Sequence, residues 1–229
     1  HDLNYIGYTG LLDLMGRSGE APIVPATTIA DIGGGAQPAI IGILLALFHR
    51  EKTGEGQFVD ISMMDGVLSW LQTLLPAYLN AGDKPSRGEQ MLDGGRAYYN
   101  IYETKDARYL AVGAVEPKFW SAFCEIIERE DLIAHQEGPK AKQEEMKAEI
   151  QGIIKTKTLA EWTEIFEPID ACVSPVVNFE EMEKNEHVIA REMIQSVKDH
   201  KIGKVKHIGI PIKLSQTPGS IRSLASNRK

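Results

Sequence analysis

The chain has 229 residues, 43% of them hydrophobic and 25% charged, enough apolar material for one large core or two smaller ones and too much for extended disorder. Its formal net charge of -7 argues against a general nucleic-acid binder, which carries a basic excess. Cys124 and Cys172, its only cysteines, form no closely spaced zinc or redox motif, and both read as small buried apolar residues.

In chain order, His1, Tyr5 and Tyr8 come first, with Asp2 and Asn4 as turn formers or caps,. Leu11, Leu12, Leu14 and Met15 then read as a short helix between two loops,. Ala30-Asp31-Ile32-Gly33-Gly34-Gly35 sets an acid before three glycines, a stretch whose backbone can turn tightly and approach a ligand,. Ile40, Ile43, Leu44 and Leu47 recur at helical spacing after it, predicting a buried helix from Ala36 to about His49,. Asp31 is thereby placed just before a helix N-terminus, as a cap or as an acid facing whatever the free N–H groups face. The apolar run from Ala39 to Phe48 is too short for a bilayer, which takes about 20 apolar residues. A soluble, cytoplasmic protein with no membrane partner is expected.

Thr53-Gly54-Glu55-Gly56 is a turn signal, and Phe58 to Met63 alternates as a strand,. A long helix is expected from about Met64 to Asn80, with Asp65 complementing its dipole, and the α-β-α order suits a parallel, helix-covered sheet. Gly82 to Gly95 reads as a linker, and Tyr98–Glu103 with Tyr109–Val115 as a hairpin turned at Thr104-Lys105-Asp106,. Pro117 opens a helix that buries Phe119, Trp120, Phe123, Ile126 and Ile127,. A charged helix over 140–155 follows, then one headed by a capping box at Thr158 and Glu161,. Ala171 to Val176 is extended, Glu180 to Glu192 is helical, and Val205 to Leu214 is extended with Pro211 outside any interior strand,. The tail from Ser215 is expected to be irregular.

Four segments carry a resemblance. They are His1-Asp2-Leu3-Asn4-Tyr5, Ala30 to Gly35, Gly54 to Asp60 with Ser62-Met63-Met64-Asp65-Gly66, and Val112 to Phe119. In this order they resemble the family III CoA-transferases (the CaiB/BaiF family), most closely the α-methylacyl-CoA racemase branch, from the first residue to about Pro211. The resemblance implies an α/β fold: residues 1–81 as the C-terminal part of a Rossmann-like CoA-binding domain and 82–95 as a linker. Residues 96–190 would form a small α+β domain, and 191–229 a linker and tail returning to the large domain. It implies an interlocked homodimer, and a further nucleotide-binding segment ahead of His1, so that the chain reads as a fragment.

Inverting the carbon next to a thioester requires one group to remove a proton from one face and another to return one to the opposite face. The resemblance assigns these roles to His1 and Asp31, and to Glu116 the task of orienting the histidine from the other subunit. Tyr5 matches a position lining the CoA pocket. The enolate oxygen needs prearranged donors, and the N–H groups of Gly33, Gly34 and Gly35 are the candidates. The alternative is a CoA-transferase that moves CoA between carboxylic acids through an aspartyl-CoA intermediate at Asp65. A third reading is an inactive fragment serving as a dimerisation module. No metal, redox or tightly bound cofactor is implied; the CoA thioester is substrate.

Overall fold

The computed structural model describes residues 1–199 and 203–222. Two compact units result, His1–Pro175 and a second beginning at Val176.

The first unit opens with helices α1 (Asp2–Tyr8) and α2 (Leu11–Leu14). A continuous helix then runs from Ala30 to Thr53. Its first part, Ala30–Ala36, is wound as a π-helix, and the rest is α3 (Gln37–Thr53). Pro38 supplies the reason for the wide turn: it offers no N–H to the carbonyl of Gly34, four residues back, and its ring collides with that carbonyl in an ordinary α-helix. Gly54, at φ 77°, closes α3 with its N–H on the Arg50 carbonyl.

Three expectations are corrected here. The helix begins near Ala30 rather than Ala36, so Asp31 lies inside its first turn and not before it. The helix is also not buried: Ile40, Ile41, Ile43, Leu44, Leu45 and Phe48 are each more than half exposed. Finally, the helix has 24 residues and includes an 18-residue stretch of mean hydropathy 1.5, long and apolar enough to cross a membrane by length and composition. The apolar run expected from the sequence begins at Ala39, whereas the helix itself starts at Ala30 and includes the glycine triplet.

From Phe58 to Ser62 the chain is extended, but among the described residues no strand pairs with it. An alternating pattern becomes a strand only when a neighbour takes its N–H and C=O groups. Val59 and Ile61 instead pack over Gly42 of α3, where an added Cβ would lie 2.8 Å from the Val59 side chain. Helix α4 (Met63–Trp70) follows, and after a turn at 71–74 comes α5 (Leu75–Ala81). The single helix expected over 64–80 is broken because Pro76 leaves the carbonyl of Gln72 without its donor. Segment 82–95 lacks helix and paired strand but is docked: Arg87 donates to the Asp13 carboxylate at 2.8 Å and Ser18 to Glu89 at 2.7 Å.

Strands β1 (Tyr99–Glu103), β2 (Tyr109–Gly113) and β3 (Val173–Pro175) form an antiparallel sheet in that order, with Ile101 opposite Ala111 and Ala111 opposite Ser174. Helices α6 (Pro117–Ile126), α7 (Lys140–Ile154) and α8 (Leu159–Phe166), with a 3-10 turn at Glu130–His135, complete this region. Its core runs through Trp120, Phe123 and Phe166, whose successive ring centroids are 5.7 and 5.8 Å apart. Buried polar groups are matched: the Trp120 indole donates to the Leu132 carbonyl at 3.2 Å, and Gln143 takes the Ala97 N–H at 2.9 Å. The hairpin, the helix opened by Pro117 and the capping box at Thr158 and Glu161 stand as expected. Cys124 is buried, and its burial pushes the thiol pKa up to about 12. Cys172, expected to be buried, is exposed at φ 51°, because it turns the chain into β3.

In the second unit, α9 (Phe179–Lys184) is headed by a capping box at Asn178, and α10 (Glu186–Ala190) by Asn185. Strands β4 (Ile194–Asp199) and β5 (Gly203–Ile208) pair antiparallel with Val197 opposite Val205, and Lys206 pairs with Glu183. Of the expected irregular tail, 223–229 lies outside the described residues.

Candidate active site

His1 stands at the N-cap of α1, its carbonyl accepting the N–H groups of Asn4 at 3.0 Å and Tyr5 at 3.2 Å. Ile6 anchors this helix from below, fully buried with Ala30 and Val67. The polar tie is on the other side: the Asp2 carboxylate accepts the backbone N–H of Asp31 at 2.9 Å. The free N–H groups of a helix's first turn need partners. One of them is satisfied here by an acid 29 residues away.

His1, Asp2, Leu3 and Asp31, with the loop Val24–Thr28, line an open cleft of about 400 Å³. The side chains of His1 and Asp31 are both exposed to it. Two acid/base residues far apart in sequence are thus brought to one concavity, and the acid sits on a π turn, a feature that in helices often marks functional positions. Ile29, the residue ahead of this turn, gives it no side-chain cap.

The glycine triplet is used for packing. A Cβ on Gly33 would lie 2.0 Å from the Trp70 ring, and one on Gly34 would lie 2.5 Å from the Met63 carbonyl. Gly66 meets the same wall from α4, where a Cβ would be 2.1 Å from the Gly34 carbonyl oxygen. Gly35 has the Met63 side chain at 2.9 Å from where its Cβ would be. The bare faces of the triplet therefore admit α4 at backbone contact, and α4 in turn holds the turn that carries Asp31.

The remaining candidates lie outside the cleft lining. Tyr5 is half-buried against the Ile6 cluster. Asp65 is exposed in the first turn of α4, its carboxylate accepting the Ser62 hydroxyl at 3.0 Å. Glu116 is exposed just ahead of α6, its carbonyl accepting the N–H groups of Phe119 at 2.9 Å and Trp120 at 3.0 Å. Asp2, expected as a turn former or cap, accepts an N–H from the first turn of another helix. Among the described residues no group of three or more His, Cys, Asp or Glu is arranged to hold a metal ion.

The family model of CoA-transferase family III matches residues 1–225. The chain belongs to this family. It is 40% identical over 188 residues to the α-methylacyl-CoA racemase of Mus musculus, a match covering 82% of this chain and 49% of that protein. It is 27% identical over 235 residues to the succinyl-CoA–L-malate CoA-transferase alpha subunit of Chloroflexus aurantiacus, covering 95% of this chain and 52% of that one. The crystal structure of Rv3272 from M. tuberculosis is alike in fold, with a TM-score of 0.76 at 20% identity over 96% of this chain and 59% of that one. This family III chain spans about half the length of the curated relatives it matches.

Proposed function

We propose that the protein carrying this chain is an acyl-CoA racemase or epimerase that inverts the α-carbon of a 2-methylacyl-CoA by two-base proton transfer. The observation that carries this reading is the convergence of His1 and Asp31 on one cleft, supported by the 40% identity to a racemase. One of the pair removes the α-proton, the electron pair of the C–H bond passes to the thioester oxygen as an enolate, and the other returns a proton to the opposite face. Imidazole serves either direction near neutral pH. The enolate oxygen needs prearranged donors, which the free N–H groups at the positive end of the long helix can supply; Gly33 to Gly35, expected in this role, pack against α4 outside the cleft lining,.

The same reading makes residues 1–81 part of a Rossmann-like CoA-binding domain, with Tyr5 toward the CoA. It makes the assembly an interlocked homodimer in which Glu116, outside the cleft of its own chain, orients His1 of a second copy. A second reading has an observation of its own: Asp65 presents an exposed carboxylate, held by Ser62 at the start of α4, as a transferase nucleophile requires.

The test is incubation of a 2-methylacyl-CoA in D2O with the protein carrying this chain, read by mass spectrometry and chiral analysis. Deuterium uptake with loss of stereochemical purity is expected, abolished in His1→Ala and in Asp31→Ala. Wild-type rates in either variant sink the two-base assignment. No uptake, with CoA transfer to an added free acid, moves the chemistry to Asp65.

A further inference from the structure

We propose that Asp2 is the positioning residue that sets the distance between the two bases, an inference that rests on the two-base reading. Its carboxylate bonds the backbone N–H of Asp31 at 2.9 Å, within the range of charge-assisted N–H to carboxylate bonds. The acceptor is well matched, because that N–H belongs to the first turn of a 24-residue helix whose positive end favours an anion,.

The bond joins the two bases by a short route. Asp2 is covalently next to His1, and its oxygen lands on the main chain of Asp31 itself rather than on a neighbour. α1 and the π turn also meet in the apolar cluster of Ile6, Ala30 and Val67, with Tyr5 and Ile29 packed against it. That apolar contact fixes how closely the helices approach but leaves sliding along the interface open, which a directional hydrogen bond stops. Two bases acting on opposite faces of one carbon must both stay within reach of it, and misplacement by about 1 Å costs on the order of 100-fold. Asp2 acts through these neighbours and transfers no proton.

The experiment uses the protein carrying this chain and compares Asp2→Ala, Asp2→Asn and Thr9→Ala. Thr9 closes the far end of α1 through its hydroxyl on the Ile6 carbonyl at 2.9 Å, so its loss weakens the same helix without touching the tie to Asp31. Asp2→Ala is expected to lower kcat for α-proton exchange about 10- to 100-fold for both enantiomers, with KM within about threefold. Asp2→Asn keeps an acceptor oxygen and is expected to recover most of that loss. Thr9→Ala lowers Tm and leaves kcat within about twofold. Hydrogen exchange at the Asp31 amide is slow in the wild type and in Asp2→Asn, and fast in Asp2→Ala.

Loss of Asp31 amide protection with kcat unchanged overturns the proposal. A loss of kcat in Thr9→Ala equal to that in Asp2→Ala, without rescue by Asp2→Asn, reduces Asp2 to general stability and overturns it too. A wild type that exchanges no α-proton takes down the two-base reading first and this proposal with it, an outcome distinct from both.

Discussion

Two stretches of the same unit are built on opposite terms. Residues 97–173 bury Tyr98, Trp120, Phe123, Leu110, Ile150 and Trp162 to 1% exposure or less, and the indole and amide groups inside find partners. In residues 1–81 the cluster of fully buried side chains is Ile6, Ala30 and Val67, while α3 presents apolar residues to solvent on most of its surface. Yet the cleft with His1 and Asp31 is on the second, thinly covered stretch. Its geometry is held by backbone contacts between glycines and by one carboxylate, so small changes there are expected to displace the cleft before they unfold anything.

Paired truncations in the two stretches give the largest expected contrast. Trp120→Ala removes a ring stacked on Phe123 and an indole bonded to Leu132, and is expected to cost about 3–5 kcal/mol. In the 229-residue chain by itself, Leu44→Ala, at a side chain 59% exposed, is expected to stay within about 0.5 kcal/mol. Denaturant titration of both variants reads the difference. A cost above about 2 kcal/mol for Leu44→Ala would break the comparison, since only a covered leucine loses that much.

A smaller effect on stability, with a larger one on chemistry, is expected at Gly66. Adding a methyl there drives it into the Gly34 backbone at 2.1 Å, and overpacking of this kind costs about 1–3 kcal/mol. α4 must retreat from the π turn, and Asp31 moves with the turn. Gly66→Ala is therefore expected to lose α-proton exchange beyond what its Tm implies, whereas Gly56→Ala, with nothing within 4 Å, changes neither. Equal exchange rates in the two variants would show that the glycine contact does not govern the cleft.

What was legible in the sequence follows from how local its cause is. The capping box at Thr158 and Glu161 and the hairpin at Thr104 to Asp106 need only neighbours a few residues away, and they were readable. The glycines at 33 to 35 were not, because the side chains and backbone that require them belong to Met63, Gly66 and Trp70 on another helix. The leucine stripe over 64–80 has helical spacing throughout, but Pro76 breaks it into α4 and α5,. Phe58 to Met63 had a strand's alternation without a strand's partner. For the site, motif resemblance supplied His1 and Asp31, and only coordinates show that they share a cleft and that Asp2 links them.

Acid offers the finest probe of the same contrast. Glu161 is held below the usual carboxylate range chiefly by the Thr158 backbone N–H, which it accepts at 2.7 Å. Asp131 is held down by the Arg129 guanidinium at 2.7 Å, and Asp106 by the Thr104 hydroxyl. Each has a lower pKa folded than unfolded, so its stabilisation is fully present above the ordinary carboxylate range. That stabilisation is lost as pH falls through the depressed folded value. All three belong to 97–173, so acid is expected to loosen the well-packed stretch, with a dependence that salt weakens because the groups are exposed. Trp162, 1% exposed and on α8 beside Glu161, reports this by fluorescence. Glu161→Gln removes one titrating group and is expected to make the acid-side loss of stability shallower by a single proton's worth. An unchanged slope would mean that the capping carboxylate contributes through its hydrogen bonds in either protonation state, and that the charge itself stabilises nothing.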